Sequence, residues 1–339
     1  MSFKVGVTSD ILDAKGEPVF GREPLRALDA AAGLEWEWLP KGIREVTAEH
    51  AAKYDALYVN SPKVPAAAVS GKDLRLKIVS RHGVGYDSVD VPAMSAAGVL
   101  VCNTPNAMPR PVATMALTLV LALAHRLLAK DRMTREGRWN DRVDHMGMGL
   151  TGRTLGVVGA GRIGKELLRM AKVLDLKLVA ADPYAEELEI SYIGARKVPL
   201  ETLMAEADFV VVTALLNEET RHLVNARQLA RMKPTAYLIN VARGPVVDEK
   251  ALYEVLSKKK IAGAGLDVFE EEPTPATNPI LKLDNVIVTP HALCWTDELF
   301  GNIARTAIGA VLAVHAGRRP QFVVDAAALA HPRVKVWLA

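Results

Sequence analysis

Short apolar runs and stretches of helical periodicity take turns along most of this chain. Runs at 3–8, 54–60, 77–80 and 99–101 read as buried strands. Residues 34–39, Leu-Glu-Trp-Glu-Trp-Leu, alternate apolar and acidic side chains with the period of two that marks a half-exposed strand. Helical spacing fills the gaps, for example over 24–32. The rhythm resumes at 154–158 and 177–181, then at 209–213, 237–240, 262–268 and 286–289, with a helix over 248–258 that Asp248 is placed to cap. Residues 110–135 are apolar on more than one face, which predicts one long helix buried by another element or by a second subunit. The last helix falls at 296–316, and 320–339 reads as a loosely patterned tail. Strands alternating with helices predict parallel sheets covered by helices, and two such sets predict two doubly wound α/β domains.

The junction TLGVVGAGRIG at 154–164 adds chemistry to this frame. An apolar strand ends in Gly159-Ala160-Gly161-Arg162-Ile163-Gly164, an amphipathic helix follows, and the next strand ends at Asp182. In a dinucleotide fold Gly159 makes the tight turn, Gly161 lets a pyrophosphate approach the backbone, and Gly164 lets helix and strand pack closely. The phosphates then lie at a helix N-terminus, where free N–H groups and the helix dipole favour an anion. Asp182 stands near the offset of about 20 residues expected for the carboxylate that holds a ribose diol. Pro183 and Tyr184 follow it, with no arginine to accept a 2′-phosphate, so NAD is expected over NADP.

At 339 residues the chain is long enough for two domains, and half of it is hydrophobic. A net charge of +3, with no basic cluster longer than Lys258-Lys259-Lys260, gives no reason to expect a nucleic-acid or membrane partner. The apolar run 112–124 falls short of the roughly 20 residues a bilayer span needs. Two cysteines, Cys102 and Cys294, make no disulfide framework, and no signal peptide is visible before the first strand, which together predict a cytoplasmic protein. No metal is expected.

Ligands of open α/β sheets bind beyond the carboxyl ends of the strands. Three such ends carry chemistry: Arg243 after 237–240, the acidic run Glu270-Glu271-Glu272 after 262–268, and His291 after 286–289. Those residue types suit hydride transfer to a 2-keto acid. The alkoxide formed at the carbonyl needs a proton, for which histidine is the usual donor. A carboxylate beside the imidazole orients it and stabilises its protonated form. An arginine can fork onto the substrate carboxylate and stabilise negative charge on the carbonyl oxygen. Taken alone, each has an ordinary structural reading. The glycine pair in 81–87 is equally compatible with an anion-facing loop and with a simple turn.

The stretches GVGYDSVD (83–90), GRTLGVVGAGRIG (152–164), ADPY (181–184), NEETRHLVN (217–225), NVARGPVVDEKAL (240–252), GAGLDVFEEEP (263–273) and TPHA (289–292), in that order, resemble the D-isomer-specific 2-hydroxyacid dehydrogenase family over nearly the whole chain. The resemblance implies a Rossmann-type NAD domain, 103–293, inserted in a discontinuous, flavodoxin-like substrate domain made of 1–102 and 294–339, and a homodimer. It implies that Arg243 binds the substrate carboxylate and carbonyl, that His291 is the acid/base, and that Glu272 partners His291. Backbone N–H groups of Val84 and Gly85 would hold the substrate carboxylate. Val241, Ala242 and Asp267 would contact the nicotinamide, and Thr213 and Ala214, with Leu215, would line the adenosine side.

Three departures accompany the match. Thr114 stands where an acidic residue is frequent, Ala214-Leu215-Leu216-Asn217 lacks the familiar proline, and Trp295 follows the histidine loop in place of a small residue. Trp295 is read either as a wall of the substrate pocket or as a packed aromatic at a helix start. The expected activity is hydride transfer between NAD(H) and a small D-2-hydroxy or 2-keto acid, in the manner of a glyoxylate or hydroxypyruvate reductase. The alternatives are a phosphoglycerate dehydrogenase-like enzyme without a regulatory domain and an NAD(H)-sensing corepressor-like protein. Lys63 and Arg81 are read as surface charges rather than as readers of a phosphate.

Overall fold

A computed structural model describes residues 2–338. The chain divides into two compact units, one of Met1–Met108 with Trp295–Ala339 and one of Pro109–Cys294. The first crossing thus falls after the Asn103-Thr104-Pro105 segment and the second after Cys294.

The first unit holds a parallel sheet of β1 (Phe3–Val7), β2 (Leu34–Trp38), β3 (Ala56–Val59), β4 (Ile78–Arg81) and β5 (Leu100–Cys102), in the order β2-β1-β3-β4-β5 that flavodoxin-type sheets share. β3 is buried throughout, whereas β2, at the edge, is half-exposed as its alternation predicts. Helix Asp297–His315, capped by the Thr296 hydroxyl, packs Ala304, Ile308 and Val311 onto one face of the sheet.

The second unit holds β6 (Thr154–Val158), β7 (Lys177–Ala181), β8 (Arg196–Lys197), β9 (Phe209–Val212), β10 (Tyr237–Asn240), β11 (Gly263–Leu266) and β12 (Val286–Val288). Their order is β12-β11-β10-β9-β6-β7-β8, with every pairing parallel. The order reverses between β6 and β9, which is where a doubly wound sheet opens a crevice at its carboxyl edge. Fully buried runs such as Phe-Val-Val-Val in β9 are what a strand covered on both faces requires.

Three expectations need correction. The single helix over 110–135 is two, Pro109–Ala124 and Leu127–Arg135, bent by 57°. Arg126 takes left-handed backbone at φ 53°, and the returning segment seals the break: Met148 N–H donates to the Ala124 carbonyl at 2.7 Å, with Gly147 pressed against it. The helix over 24–32 shrinks to Arg26–Asp29, because the turns on both sides of it close i→i+3 bonds instead, the last one reaching Leu34 past Gly33 in left-handed backbone. The tail over 320–339 is ordered as the 3₁₀ turn Ala326–Ala330 and the helix Pro332–Trp337. Arg333 anchors it, donating to the carbonyls of Leu74, Leu76 and Gly98.

Candidate active site

The glycine loop is built as its spacing implies. Gly159 has φ +94°, and a Cβ there would meet Ala214 Cα at 2.5 Å, so β6 and the residue after β9 touch backbone to backbone. The Thr213 hydroxyl closes this contact by donating to the Gly159 carbonyl at 2.6 Å. A Cβ on Gly164 would lie 2.3 Å from the Gly159 carbonyl oxygen, which is the close helix–strand packing expected of the third glycine. At Gly161 nothing lies within 4 Å of a built Cβ, leaving that backbone open to an approaching group. Arg162 starts the helix Arg162–Ala171, followed by half-buried Ile163. Asp182 accepts from Ala160 N–H at 2.8 Å and from Tyr184 N–H at 2.8 Å, which fixes its carboxylate beside the loop.

A cavity of about 540 Å³ opens at these strand ends, lined among others by Val158, Asp182, Pro183, Val198, Leu200 and Leu223. It offers an apolar slot next to a carboxylate, as an adenosine requires. Thr213 and Ala214 brace the glycine loop beside it, and Leu215 is exposed. A second cavity, of about 580 Å³ and lined by Thr154, Lys177 and Lys233, lies at the opposite strand ends, away from this chemistry.

The candidate catalytic side chains follow β10, β11 and β12. His291 Nδ1 meets Glu272 Oε2 at 2.8 Å. The other carboxylate oxygen, Oε1, accepts from Phe269 N–H at 3.0 Å, so Glu272 is tied to its own loop at one oxygen and to the imidazole at the other. Burial raises the Glu272 carboxyl's pKa, but the bonds from His291 and Phe269 and the charges of His291 and Arg243 outweigh it and hold the group below its ordinary value. His291 sits in left-handed backbone at φ 53°, a conformation that persists in a residue with a Cβ only when its surroundings impose it. Asp267 does the imposing. Fully buried, its Oδ1 accepts from the Thr289 hydroxyl at 2.6 Å and from the N–H groups of Ala292 and Leu293 at 3.1 Å each, folding the chain around His291.

Arg243 follows β10 in extended backbone, exposed, and its guanidinium donates to the Ala242 carbonyl at 2.8 Å. Val241 and Ala242 are buried beneath it. The turn is braced by Asn240, a buried amide that donates to the Arg243 carbonyl at 3.1 Å and accepts from Ala242 N–H at 3.1 Å. The sequence shows Asn240 as a strand end within the stretch that carries the resemblance, without a role of its own. An amide residue ending an apolar strand three positions before Arg243 is the signal the sequence offers for its bracing role.

Val84, Gly85 and Trp295 belong to the first unit. The Val84 carbonyl accepts from Asn103 Nδ2 at 2.8 Å and the Gly85 carbonyl from Arg81 Nε at 3.0 Å, so the glycine-rich loop after β4 is held at both peptides. Arg81 is no surface charge: its guanidinium also reaches the carbonyls of Val59 and Asn60, and burial lowers its pKa. Beside it His82, pushed down to about 3 by burial and by the Arg81 charge, pairs through Nδ1 with the buried Tyr58 hydroxyl. Trp295 stays 63% exposed and packs edge-to-face on Phe300 at 5.3 Å.

Residues 117–292 match the family model described as D-isomer specific 2-hydroxyacid dehydrogenase, NAD binding domain. The chain belongs to the D-isomer specific 2-hydroxyacid dehydrogenase family. This dehydrogenase is 42% identical over 254 residues to a glyoxylate reductase of Korarchaeum cryptofilum, covering 74% of this chain and 76% of that one. It is 38% identical over 271 residues to a D-3-phosphoglycerate dehydrogenase of Archaeoglobus fulgidus; 80% of this chain is matched, but only 51% of that relative. Its fold superposes on a D-lactate dehydrogenase of Lactobacillus jensenii, solved with NAD⁺, with a TM-score of 0.81 at 25% identity, covering 95% of this chain and all of that one. The dehydrogenase is thus an NAD-dependent oxidoreductase acting on the CH–OH group of donors. The open backbone at Gly161, the tight packing at Gly159 and Gly164 and the Asp182 carboxylate fit that cofactor.

Proposed function

We propose that this dehydrogenase reduces a small, unphosphorylated 2-keto acid, glyoxylate or hydroxypyruvate, with Arg243, Glu272 and His291 as the groups that carry the reaction. The carrying observation is the 2.8 Å bond between His291 Nδ1 and Glu272. Bonded at Nδ1, the imidazole is fixed in orientation and presents Nε2 as the nitrogen that delivers a proton to the carbonyl oxygen. NADH, when bound, supplies a hydride to the carbonyl carbon. The Arg243 guanidinium forks onto the substrate carboxylate and stabilises the charge that develops on the carbonyl oxygen. The Val84 and Gly85 N–H groups serve the same carboxylate, and Trp295 limits the length of the substrate side chain. The main chain around Gly161, Arg162 and Ile163 cradles the pyrophosphate, and Asp182 holds the adenosine ribose, with Thr213 and Ala214 beside it. Val241, Ala242 and Asp267 face the nicotinamide end.

Two observations favour glyoxylate or hydroxypyruvate over a phosphorylated acid. The similar glyoxylate reductase is matched over most of its length, and Arg81 is spent on backbone carbonyls rather than left free for a phosphate. Loss of NADH absorbance with glyoxylate, hydroxypyruvate, pyruvate and phosphohydroxypyruvate, read as kcat/KM, tests the reading. Preference for the phosphorylated acid overturns the substrate class. NADH binding without turnover of any of them overturns the catalytic assignment in favour of a sensor.

The protein is also proposed to be a cytoplasmic homodimer without nucleic-acid or membrane partners. Its two cysteines are free and buried, no single helix among the described residues is long and apolar enough to cross a membrane, and the net charge is +3. Leu127, Leu128, Trp139, Val143 and Met146, each at least half exposed, cluster on the short helix Leu127–Arg135 and the 3₁₀ segment after it. An apolar patch of that kind marks an interface. Light scattering should give twice the chain mass, and Trp139→Asp should halve it; a monomeric wild type removes the dimer.

A further inference from the structure

A second histidine–glutamate pair lies in the same unit. His222 Nε2 meets Glu270 Oε1 at 2.7 Å, and Glu270 is two residues before Glu272. The His222 main-chain N–H donates to the Pro245 carbonyl at 2.8 Å, so this one residue bonds the Arg243 loop through its backbone and the Glu272 loop through its ring. Those loops touch directly. A Cβ on Gly244 would lie 1.9 Å from the carbonyl carbon and oxygen of Phe269 and 2.3 Å from Glu270 N. Glu270 is gripped from a third side, accepting from Glu249 N–H at 3.1 Å and returning its own N–H to Glu249 Oε2 at 2.9 Å. His222 holds left-handed backbone at φ 51°.

We propose that His222 is a positioning residue for hydride transfer: its bonds to Pro245 and Glu270 clasp the Arg243 loop to the Glu272 loop and so set the Glu272 carboxylate at bonding distance from His291. The inference rests on the roles assigned above to Arg243, Glu272 and His291. The side chains of His222 and Glu270 are 42% and 36% exposed, and a polar contact so open to solvent contributes little to stability. Strained backbone kept for so weak a pair points to what it holds in place rather than to what it stabilises. Geometry of this kind matters to rate, since misplacing a reacting group by about 1 Å costs up to roughly 100-fold.

The test measures kcat and KM for His222→Ala, His222→Gln, Glu272→Gln and the double variant His222→Ala/Glu272→Gln, with glyoxylate or whichever keto acid of the panel turns over. His222→Ala should lower kcat roughly tenfold while leaving KM for NADH unchanged. His222→Gln, whose amide can donate to Glu270, should recover most of that loss. Because the clasp acts through Glu272, His222→Ala should cost little more once Glu272→Gln is present. A native kcat in His222→Ala, no recovery in His222→Gln, or losses that multiply in the double variant would overturn the clasp. Should His222→Ala not fold, Glu270→Ala carries the test from the other end of the bond: a native kcat overturns the clasp, and a loss nested within that of Glu272→Gln supports it. Glu272→Gln running at the native rate brings down the site assignment and the clasp with it, whereas a slow Glu272→Gln beside a native His222→Ala brings down the clasp alone.

Discussion

His291 and His222 hold nearly the same left-handed backbone, at φ 53° and 51°, and each ring meets a glutamate of the same acidic run, at 2.8 and 2.7 Å. They differ in the nitrogen bonded. His291 gives its inner nitrogen, Nδ1, to Glu272 and keeps the outer one for other work, whereas His222 spends the outer Nε2 on Glu270. The partners differ as well. Glu272 is tied to Phe269 of its own loop and sits under the charge of Arg243, while Glu270 is locked against Glu249. Identical residue types at matching distances therefore support different tasks, and the bonded nitrogen separates them.

The contrast breaks most visibly at the imidazoles. His291→Ala should lower kcat by about 100- to 10,000-fold, the range of a lost general acid, against the far smaller loss expected at His222. Equal losses at the two histidines, in steady-state rates, would erase the distinction. Gly244→Ala comes next, because it forces a methyl group into the Phe269 carbonyl and must part the loops that both pairs span. Overpacking of this kind costs about 1–3 kcal/mol, so the urea midpoint and kcat should fall together; a variant with native values of both would show that the loops are not in contact.

The smallest effect is on acid stability. Glu272 is held below its ordinary carboxyl value in the folded state, so its contribution is present above that ordinary value and is lost as pH falls through the lower folded one. The stability gap between wild type and Glu272→Gln should therefore close as the pH is lowered below the ordinary carboxylate range, and a gap that stays constant with pH would contradict the pairing. The side chain's exposure keeps the effect modest.

Much of this molecule was legible before any coordinates. The strands of the second unit betray themselves by largely apolar runs, since burial on both faces leaves little room for polar positions; the stretches 177–181 and 237–240 coincide with β7 and β10. The glycine loop was readable because Gly159 and Gly164 answer steric demands that leave no alternative residue, while Gly161 leaves the backbone open to a ligand. What escaped depends on partners distant in sequence. The break at Arg126 is sealed by Gly147 and Met148, and no local pattern in an apolar helix announces it. Arg333 looks like any charged residue of a tail until it meets carbonyls at Leu74, Leu76 and Gly98. Arg81 reads as an ordinary surface cation although it is the brace of its loop. His222 lay inside a stretch that carried the family resemblance, yet its role follows from two loops that only the fold brings together.

The anchoring of Arg333 also bears on how the polypeptide assembles. The second unit is one uninterrupted stretch, so its sheet can form as soon as that stretch has left the ribosome. The first unit must wait, because Ser80 bonds the Ala307 carbonyl and Arg333 reaches back to Gly98 across more than two hundred intervening positions. During synthesis the first hundred residues therefore lack their covering helix until 297–315 have emerged, and for that interval one apolar face of their sheet stays open to water.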